Sequence, residues 1–142
     1  MDAAQALADL TEISAQIEAA VLADGDGSVL GSTFKESGRG EAVARAAIEL
    51  LAAADEARVG GDGQGLVQLQ AATPEGSVFV VRDGGRAVAA VTRRDPTVGL
   101  VFYDLKTCLR LLEQDQEREA AAKPAARKRK KKEEAEEKAG GA

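Results

Sequence analysis

Residues 77–92 read SVFVVRDGGRAVAAVT, two apolar runs separated by Asp83-Gly84-Gly85. Short apolar runs on either side of an Asp-Gly turn are typical of a β-hairpin. The preceding run 66–72, LVQLQAA, alternates in polarity as a strand does, and Thr73-Pro74-Glu75-Gly76 has the residue types of a tight turn. The sequence therefore predicts an antiparallel meander with strands at 66–72, 77–82 and 86–92.

Upstream of the meander the sequence predicts a helix, a second hairpin and a longer helix. Residues 3–14 carry apolar side chains at helical spacing. The runs 17–23 and 28–34 flank Asp24-Gly25-Asp26-Gly27, which is again a hairpin signal. Residues 41–58 are rich in alanine and leucine and contain no glycine or proline, which favours an uninterrupted helix.

A last helix is predicted after the meander. Asp95 offers a capping side chain, Pro96 suits the first helical position, and an apolar stripe follows at three- and four-residue spacing as far as Leu112. Ser37 offers a similar cap for the middle helix. The order helix, two strands, helix, three strands, helix predicts an α+β fold: a five-stranded antiparallel sheet with helices on both faces.

The composition changes near residue 119, which predicts one domain, 1–118, followed by a charged tail, 119–142. The tail has no Val, Ile, Leu, Phe, Tyr or Trp, and its eight basic and five acidic residues give a net charge of +3. It cannot bury apolar surface to offset its chain entropy, so it is predicted to be disordered. The domain has 11 basic and 19 acidic residues, a net charge of −8, which argues against broad binding to nucleic acid or anionic membranes.

Several chemical functions are disfavoured by residue types and spacing. The chain has no histidine, the commonest general base and metal ligand, and its single cysteine, Cys108, lies on the apolar stripe of the last helix. The Asp24–Gly27 turn does not fit a calcium loop, whose glycine and glutamate positions would fall on Val29 and Lys35. The string GGDGQG at 60–65 lacks the Lys-Ser/Thr of a phosphate-binding loop and is interpreted as a flexible connection. We therefore expect a protein that is not an enzyme and that holds no cofactor or metal.

The helix at 41–58 is apolar around more of its circumference than one sheet can cover. At about 100° per residue, one side is predicted to face the sheet, and it consists of Val43, Ala47, Leu50 and Ala54. Further apolar residues widen the arc to roughly 200°, about twice the stripe of a helix that covers one sheet; they are Ala44, Ala46, Ile48, Leu51 and Ala53. The helix propensity of alanine is the alternative explanation.

A twofold homodimer would cover this second surface of the helix. The strand at 66–72 gives an independent reason, because it follows a glycine-rich break and carries no charged residue, which predicts a sheet edge that needs a partner. A dimer that joins helix to helix and edge to edge would cover both surfaces by the same symmetry.

The order of elements and several strings resemble the roadblock/dynein light chain family, of the type that regulates small GTPases in bacteria. The strings are ALADLTEIS, AAVLADGDGSVLGST, the alanine-rich helix and SVFVVRDGGRAVAAVTRRDPTVGLVFYDLKTCLRLLE, and the resemblance covers about residues 5–115. It implies a profilin-like architecture and a homodimer, or a heterodimer with a paralogue, joined through the middle helices and the third strands. By this resemblance the dimer interface would include Ala44, Ile48, Leu51, Leu66, Gln68 and Gln70.

Three functions are open at the level of sequence. The resemblance implies a non-catalytic dimeric scaffold that binds a Ras-like small GTPase and modulates its nucleotide cycle. The basic run 127–132 allows an alternative, contact with nucleic acid or an acidic partner through the tail. A third is a small-ligand or enzymatic domain, for which small residues at Ala87, Ala89 and Ala90 would leave room between sheet and helix. The N-terminus lacks the basic region of a signal peptide and no apolar run is long enough to span a bilayer, so a cytoplasmic location without membrane insertion is expected.

Overall fold

The computed structural model describes residues 2–58 and 65–114. In this part of the chain, three helices and five strands follow one another in the predicted order, and the predicted fold class is confirmed. The strand order across the antiparallel sheet is β2-β1-β5-β4-β3. The elements are α1 Ala3–Ile13, β1 Ile17–Asp24, β2 Val29–Ser32, α2 Arg39–Ala57, β3 Val67–Thr73, β4 Gly76–Asp83, β5 Arg86–Thr92 and α3, 98–114.

The sheet consists of the β1–β2 hairpin and the β3–β4–β5 meander, joined through β1 and β5. Both hairpin turns form where the sequence predicts them. The joint runs antiparallel from Ile17 opposite Thr92 to Asp24 opposite Arg86 and includes one register shift near its start. From β5 the sheet continues through β4 to β3, which lies at the edge, as predicted.

The first face of the sheet is covered by α1 and α3. Its core contains the buried side chains of Leu7, Phe79 and Leu105, and the ring of Phe102 meets that of Phe79 edge-on with centroids 5.0 Å apart. The single cysteine, Cys108, lies in the same cluster and is buried, as its position on the apolar stripe predicted.

The second face is covered by α2, which packs close to the sheet because small residues meet there. At the start of α2, a Cβ on Gly40 would lie 2.6 Å from Oγ and 3.1 Å from Cβ of Ser32, so a larger residue would force Ser32 or the helix to shift. Further along, alanines of the helix and of the central strand β5 share one buried cluster; they are Ala44, Ala47, Ala87 and Ala89.

An ion pair ties the C-terminal half of α2 to β4. The two terminal nitrogens of Arg82 donate to the carboxylate of Asp55 at 2.6 and 2.9 Å, and Nε of Arg82 donates to the carbonyl of Gly65 at 3.3 Å. Two parallel hydrogen bonds fix orientation as well as distance. Hydrogen bonding from Arg82 also lowers the pKa of the Asp55 carboxyl. The pair therefore holds α2 at one rotation about its own axis.

Two helix starts differ from the prediction. The residue before α2 is Gly38, with φ of 78°, and not Ser37; no side chain among the described residues caps this helix. The last helix begins at residue 98 and not at Pro96, and Asp95 adopts a left-handed φ of 53° and does not cap it. The backbone N–H of Thr97 donates to the side chain of Gln16, which holds the preceding segment against the α1–β1 turn and delays the start of the helix.

Three predictions concern segments outside the described residues. They are the disordered tail 119–142 with its basic run 127–132, the domain boundary at residue 118, and most of the flexible connection 60–65. They stay predictions. For the residues that are described, no helix combines the length and the hydropathy needed to cross a bilayer.

Replacing Leu105 by alanine tests the core on the α1/α3 face. We expect Leu105→Ala to lower the free energy of unfolding by about 2–5 kcal/mol, because its side chain is fully buried and the substitution leaves a cavity. Leu100→Ala removes the same atoms from a half-exposed position on the same helix and should cost less than about 1 kcal/mol. Urea denaturation followed by circular dichroism measures both, and equal losses would contradict the burial of Leu105.

The Asp55–Arg82 pair predicts a specific loss of stability in acid. Because the pKa of Asp55 is lowered in the folded state, its contribution is complete above the ordinary aspartate pKa of about 4 and disappears as the pH falls through the lowered value. Asp55→Asn should therefore destabilise the protein at neutral pH and flatten the decline of its melting temperature below pH of about 4. Glu56→Gln, which changes an exposed carboxylate on the same helix, is the control. Identical pH profiles for the two variants would argue against the pair.

Candidate interaction surface

The rotation of α2 about its axis differs from the sequence prediction. The residues of α2 that are buried against the sheet are Gly40, Ala44, Ala47 and Leu51. Of the predicted sheet-facing residues, Ala47 is buried and Val43 and Ala54 are partly buried, whereas Leu50 is 42% exposed. The sequence could not fix the rotation because alanine and leucine occur almost all around the helix. The close contact at Gly40 and the Asp55–Arg82 pair select it instead.

This rotation corrects the predicted exposure of three candidate dimer residues on α2. Ala44 and Leu51 are 1% and 3% exposed and pack on their own sheet, so they have almost no surface to offer a partner. Ile48 is half-buried at the rim of the same cluster, and a Cβ on Gly27 of the β1–β2 turn would lie 3.6 Å from it. The resemblance placed them in the dimer interface, whereas the observed helix is turned by about 60° from the predicted one and directs Ala44 and Leu51 to its own sheet.

The apolar residues that α2 does expose lie on its other flank. Ala46, Leu50 and Ala53 follow at helical spacing and are all exposed. Leu50 is the large side chain of the three, and burying it would remove substantial apolar surface from water. We call Ala46, Leu50 and Ala53 the α2 outer flank. Ala46 and Ala53 belong to the predicted second surface, whereas Leu50 was predicted to face the sheet and is exposed by the observed rotation.

The three candidate dimer residues near β3 are all exposed, and Leu66 precedes the strand in which it was predicted. Leu66 is 54% exposed just before the strand, and Gln68 and Gln70 are exposed along it. Their register with Val81 and Phe79 of β4 puts both glutamines on the α1/α3 face of the sheet. Val67 and Leu69 point to the α2 face and are only partly buried. The edge strand thus carries no charge and retains apolar surface beside α2, which contacts it.

The structure places the small residues of the third, ligand-binding hypothesis inside packed cores. Ala89 and Ala90 are buried on opposite faces of β5 by the helices. Ala87 does line a cleft of about 340 Å³ between the end of α2 and the β1–β2 and β4–β5 turns. The Asp55–Arg82 pair lies in its wall, where these two side chains bond to each other.

The Asp24–Gly27 segment acts as a hairpin turn. Asp24 accepts the backbone N–H groups of Asp26 and Ser28, and Asp26 accepts both the N–H and the hydroxyl of Ser28. Hydrogen bonding with Asp24 and Ser28 lowers the pKa of Asp26 to about 2. The two carboxylates are occupied with their own turn. In the two described ranges there is no cluster of three or more residues suited to hold a metal ion.

Cys108 is a core residue with an unreactive thiol. Burial, with a smaller contribution from the charge of Asp9, raises the pKa of Cys108 to about 11. Its Sγ lies 4.0 Å from the carbonyl oxygen of Ala6 on α1. At neutral pH such a thiol is protonated, and the thiolate needed for nucleophilic chemistry is scarce.

Comparisons with known proteins give matches in structure. No protein-family model and no curated protein matches the sequence. A roadblock/LC7 domain from Streptomyces avermitilis superposes with a TM-score of 0.72 at 19% identity, covering 82% of this chain and 98% of that domain. Myxococcus xanthus MglB has a TM-score of 0.64 at 14% identity, covering 80% of this chain and 86% of MglB. Acanthamoeba castellanii profilin IA has a TM-score of 0.54 at 15% identity, over 78% and 97% of the two chains.

The matched structures share the features that the sequence predicted for this one. The alignment extends over nearly the whole roadblock/LC7 domain and over about four fifths of this chain. The profilin match is weaker but agrees with the profilin-like architecture that was expected. At these identities the comparison establishes architecture, and by that measure this chain has the roadblock/LC7 domain fold.

Proposed function

We propose that this protein is a member of the roadblock/LC7 family that acts as a non-catalytic dimer, binds a Ras-like small GTPase and changes the rate of its nucleotide cycle. The observation that carries the proposal is the match to a roadblock/LC7 domain over 98% of its length. The resemblance noted in the sequence supplies the functional part, since members of that family regulate or scaffold small GTPases. The residues that make up the surfaces involved are proposed from this chain alone.

The dimer is proposed to form through the α2 outer flank and the edge strand β3. Edge strands with unpaired backbone groups readily pair with another chain, and proteins that avoid this place charges or proline on the edge. Here β3 has neither over Val67–Thr73. Leu66 is exposed directly before the strand, and Leu50 is exposed on α2, which contacts β3. A twofold axis at β3 would let both strands pair with each other and would bring the two α2 helices together. Small residues at Ala46 and Ala53 permit close approach.

Regulation without catalysis agrees with the chemistry of the described residues. The carboxylates of Asp24, Asp26 and Asp55 are engaged in turns and an ion pair, and the thiol of Cys108 is buried. A regulator of this kind acts by binding one conformation of the GTPase more tightly than another, which shifts the balance of its states. The dimer would offer the GTPase a surface that a single protomer lacks.

Two substitutions test the proposed dimer interface. The full chain should elute with a mass near twice 14.7 kDa in size exclusion with light scattering. Leu50→Glu on the α2 outer flank and Gln68→Lys on β3 should each raise the dimer dissociation constant by at least about tenfold, because they bury a charge or place like charges on both joining strands. Circular dichroism should show that both variants remain folded.

Leu100→Glu is the matched control, since Leu100 is as exposed as Leu50 but lies on α3, on the opposite face of the sheet. It should leave the dissociation constant unchanged. A monomeric wild-type chain at high concentration, or equal weakening by Leu50→Glu and Leu100→Glu, would contradict this interface.

The regulatory part is tested with Ras-like GTPases from the same source as the chain. We expect one of them to bind the wild-type dimer and to show a several-fold change in GTP hydrolysis, measured by phosphate release, or in exchange, measured by release of a fluorescent GDP analogue. Gln68→Lys should reduce the effect in proportion to the loss of dimer. If no Ras-like GTPase of the source binds the chain or changes either rate, the proposed function is wrong.

A further inference from the structure

A second exposed apolar surface lies on the side of the sheet that is opposite to α2. A groove of about 120 Å³ runs between α1 and α3. Leu10 and Cys108 form its floor, and Ile13 and Leu111 stand at its edge with 76% and 44% of their surfaces exposed. Ile13 is three-quarters exposed at the end of α1, so packing within its own chain removes little of its apolar surface from water. Large exposed apolar groups that adjoin a groove mark interaction sites.

The two walls of the groove are acidic. Asp9 lines it from α1 and Asp104 lines it from α3, so one carboxylate stands on each side of the apolar floor. The first basic residue of the chain is Lys35, so α1 contributes no positive charge. On α3, Lys106 and Arg110 fall on the other side of the helix at about 100° per residue. The groove therefore presents an apolar strip between negative walls.

This charge pattern decides among the possible occupants. A second copy related by twofold symmetry would bring Asp9 and Asp104 against the same residues, which is repulsive. Nucleic acid and anionic lipid are repelled for the same reason. The tail 119–142 has a basic run but no large apolar side chain to cover Ile13 and Leu111. What fits is a segment with apolar and basic residues together.

We propose that the α1–α3 groove binds an amphipathic helix of a partner protein whose apolar stripe is flanked by lysine or arginine on both sides. A helix laid along the groove inserts an apolar side chain over Leu10 and Cys108 and covers Ile13 and Leu111 with its neighbours on the same stripe. Its cations reach Asp9 on one wall and Asp104 on the other. The eleven residues of α1 extend over about 16 Å, which accommodates about three helical turns. This site is separate from the proposed dimer surface on α2, because the groove lies on the opposite face of the sheet.

The experiment uses the full chain and a designed fluorescent peptide of about 18 residues, long enough to be helical when bound. One peptide carries leucines on a helical stripe with lysines on both flanks, and a second carries the same leucines with glutamates. We expect the lysine peptide to bind more tightly by at least about tenfold and its binding to weaken with salt. Amide chemical shifts of the full chain should change along α1 and α3.

Substitutions at the rim distinguish binding in this groove from nonspecific hydrophobic binding elsewhere on the protein. Asp104→Lys should lower the affinity for the lysine peptide by about fivefold or more. Ile13→Ser changes a surface residue and leaves the core intact, and it should lower the affinity for both peptides. Glu36→Lys makes the same charge change at an exposed position before α2 and should have no effect.

Four results would overturn the proposal. They are no binding of the lysine peptide, equal affinity for the two peptides, unchanged affinity in Asp104→Lys, and shift changes confined to α2 and β3. Deletion of 119–142 is a further arm of the test. If that deletion alone shifts the amides that line the groove, the chain's own tail is the occupant and the partner helix is rejected.

Discussion

The pairing of β1 with β5 is the constraint on which the rest of the structure depends. It converts a hairpin and a meander into one sheet and puts both of its strands in the middle. A two-stranded hairpin is marginal on its own, and the helices need a continuous surface to bury their apolar stripes. Residues of these two strands anchor the clusters on both faces, with Leu22 and Val88 on one and Val21 and Ala89 on the other. Because this pair occupies the centre, β3 and β2 become the edges.

The rotation of α2 shows how a few contacts select among options of similar burial. Alanine-rich helices can turn several faces to a sheet at nearly equal cost, since each face buries similar small groups. Here the contact of Gly40 with Ser32 fixes one end, and the Asp55–Arg82 pair fixes the other. The helix then buries Leu51 and leaves Leu50 in solvent. The rotation therefore decides which of two adjacent leucines is exposed, and with it the position of the apolar patch on the outer surface of α2.

The two faces of the sheet present different chemistry to their surroundings. On one side, the α2 outer flank and the edge strand β3 are uncharged and suited to another copy of the same surface. On the other, the α1–α3 groove places apolar residues between Asp9 and Asp104, which suits a partner of opposite charge. A small domain with two separate surfaces of this kind can hold two partners at once without either displacing the other.

Local patterns were enough to place the helices and strands within a few residues, because turn residues, alternation and helical spacing act over short distances. The edge position of β3 also followed from its composition, as did the burial of Cys108 on its stripe. The β1–β5 joint, the groove between α1 and α3, and the left-handed Asp95 that delays α3 came from contacts between distant parts of the chain. The choice of which face of α2 packs on the sheet was also made by tertiary contacts. Hydrophobic periodicity can say that a helix is apolar but cannot fix its angle to the sheet when the apolar arc exceeds the width of the contact. Shape and one partly buried ion pair, both of them tertiary, supplied that angle.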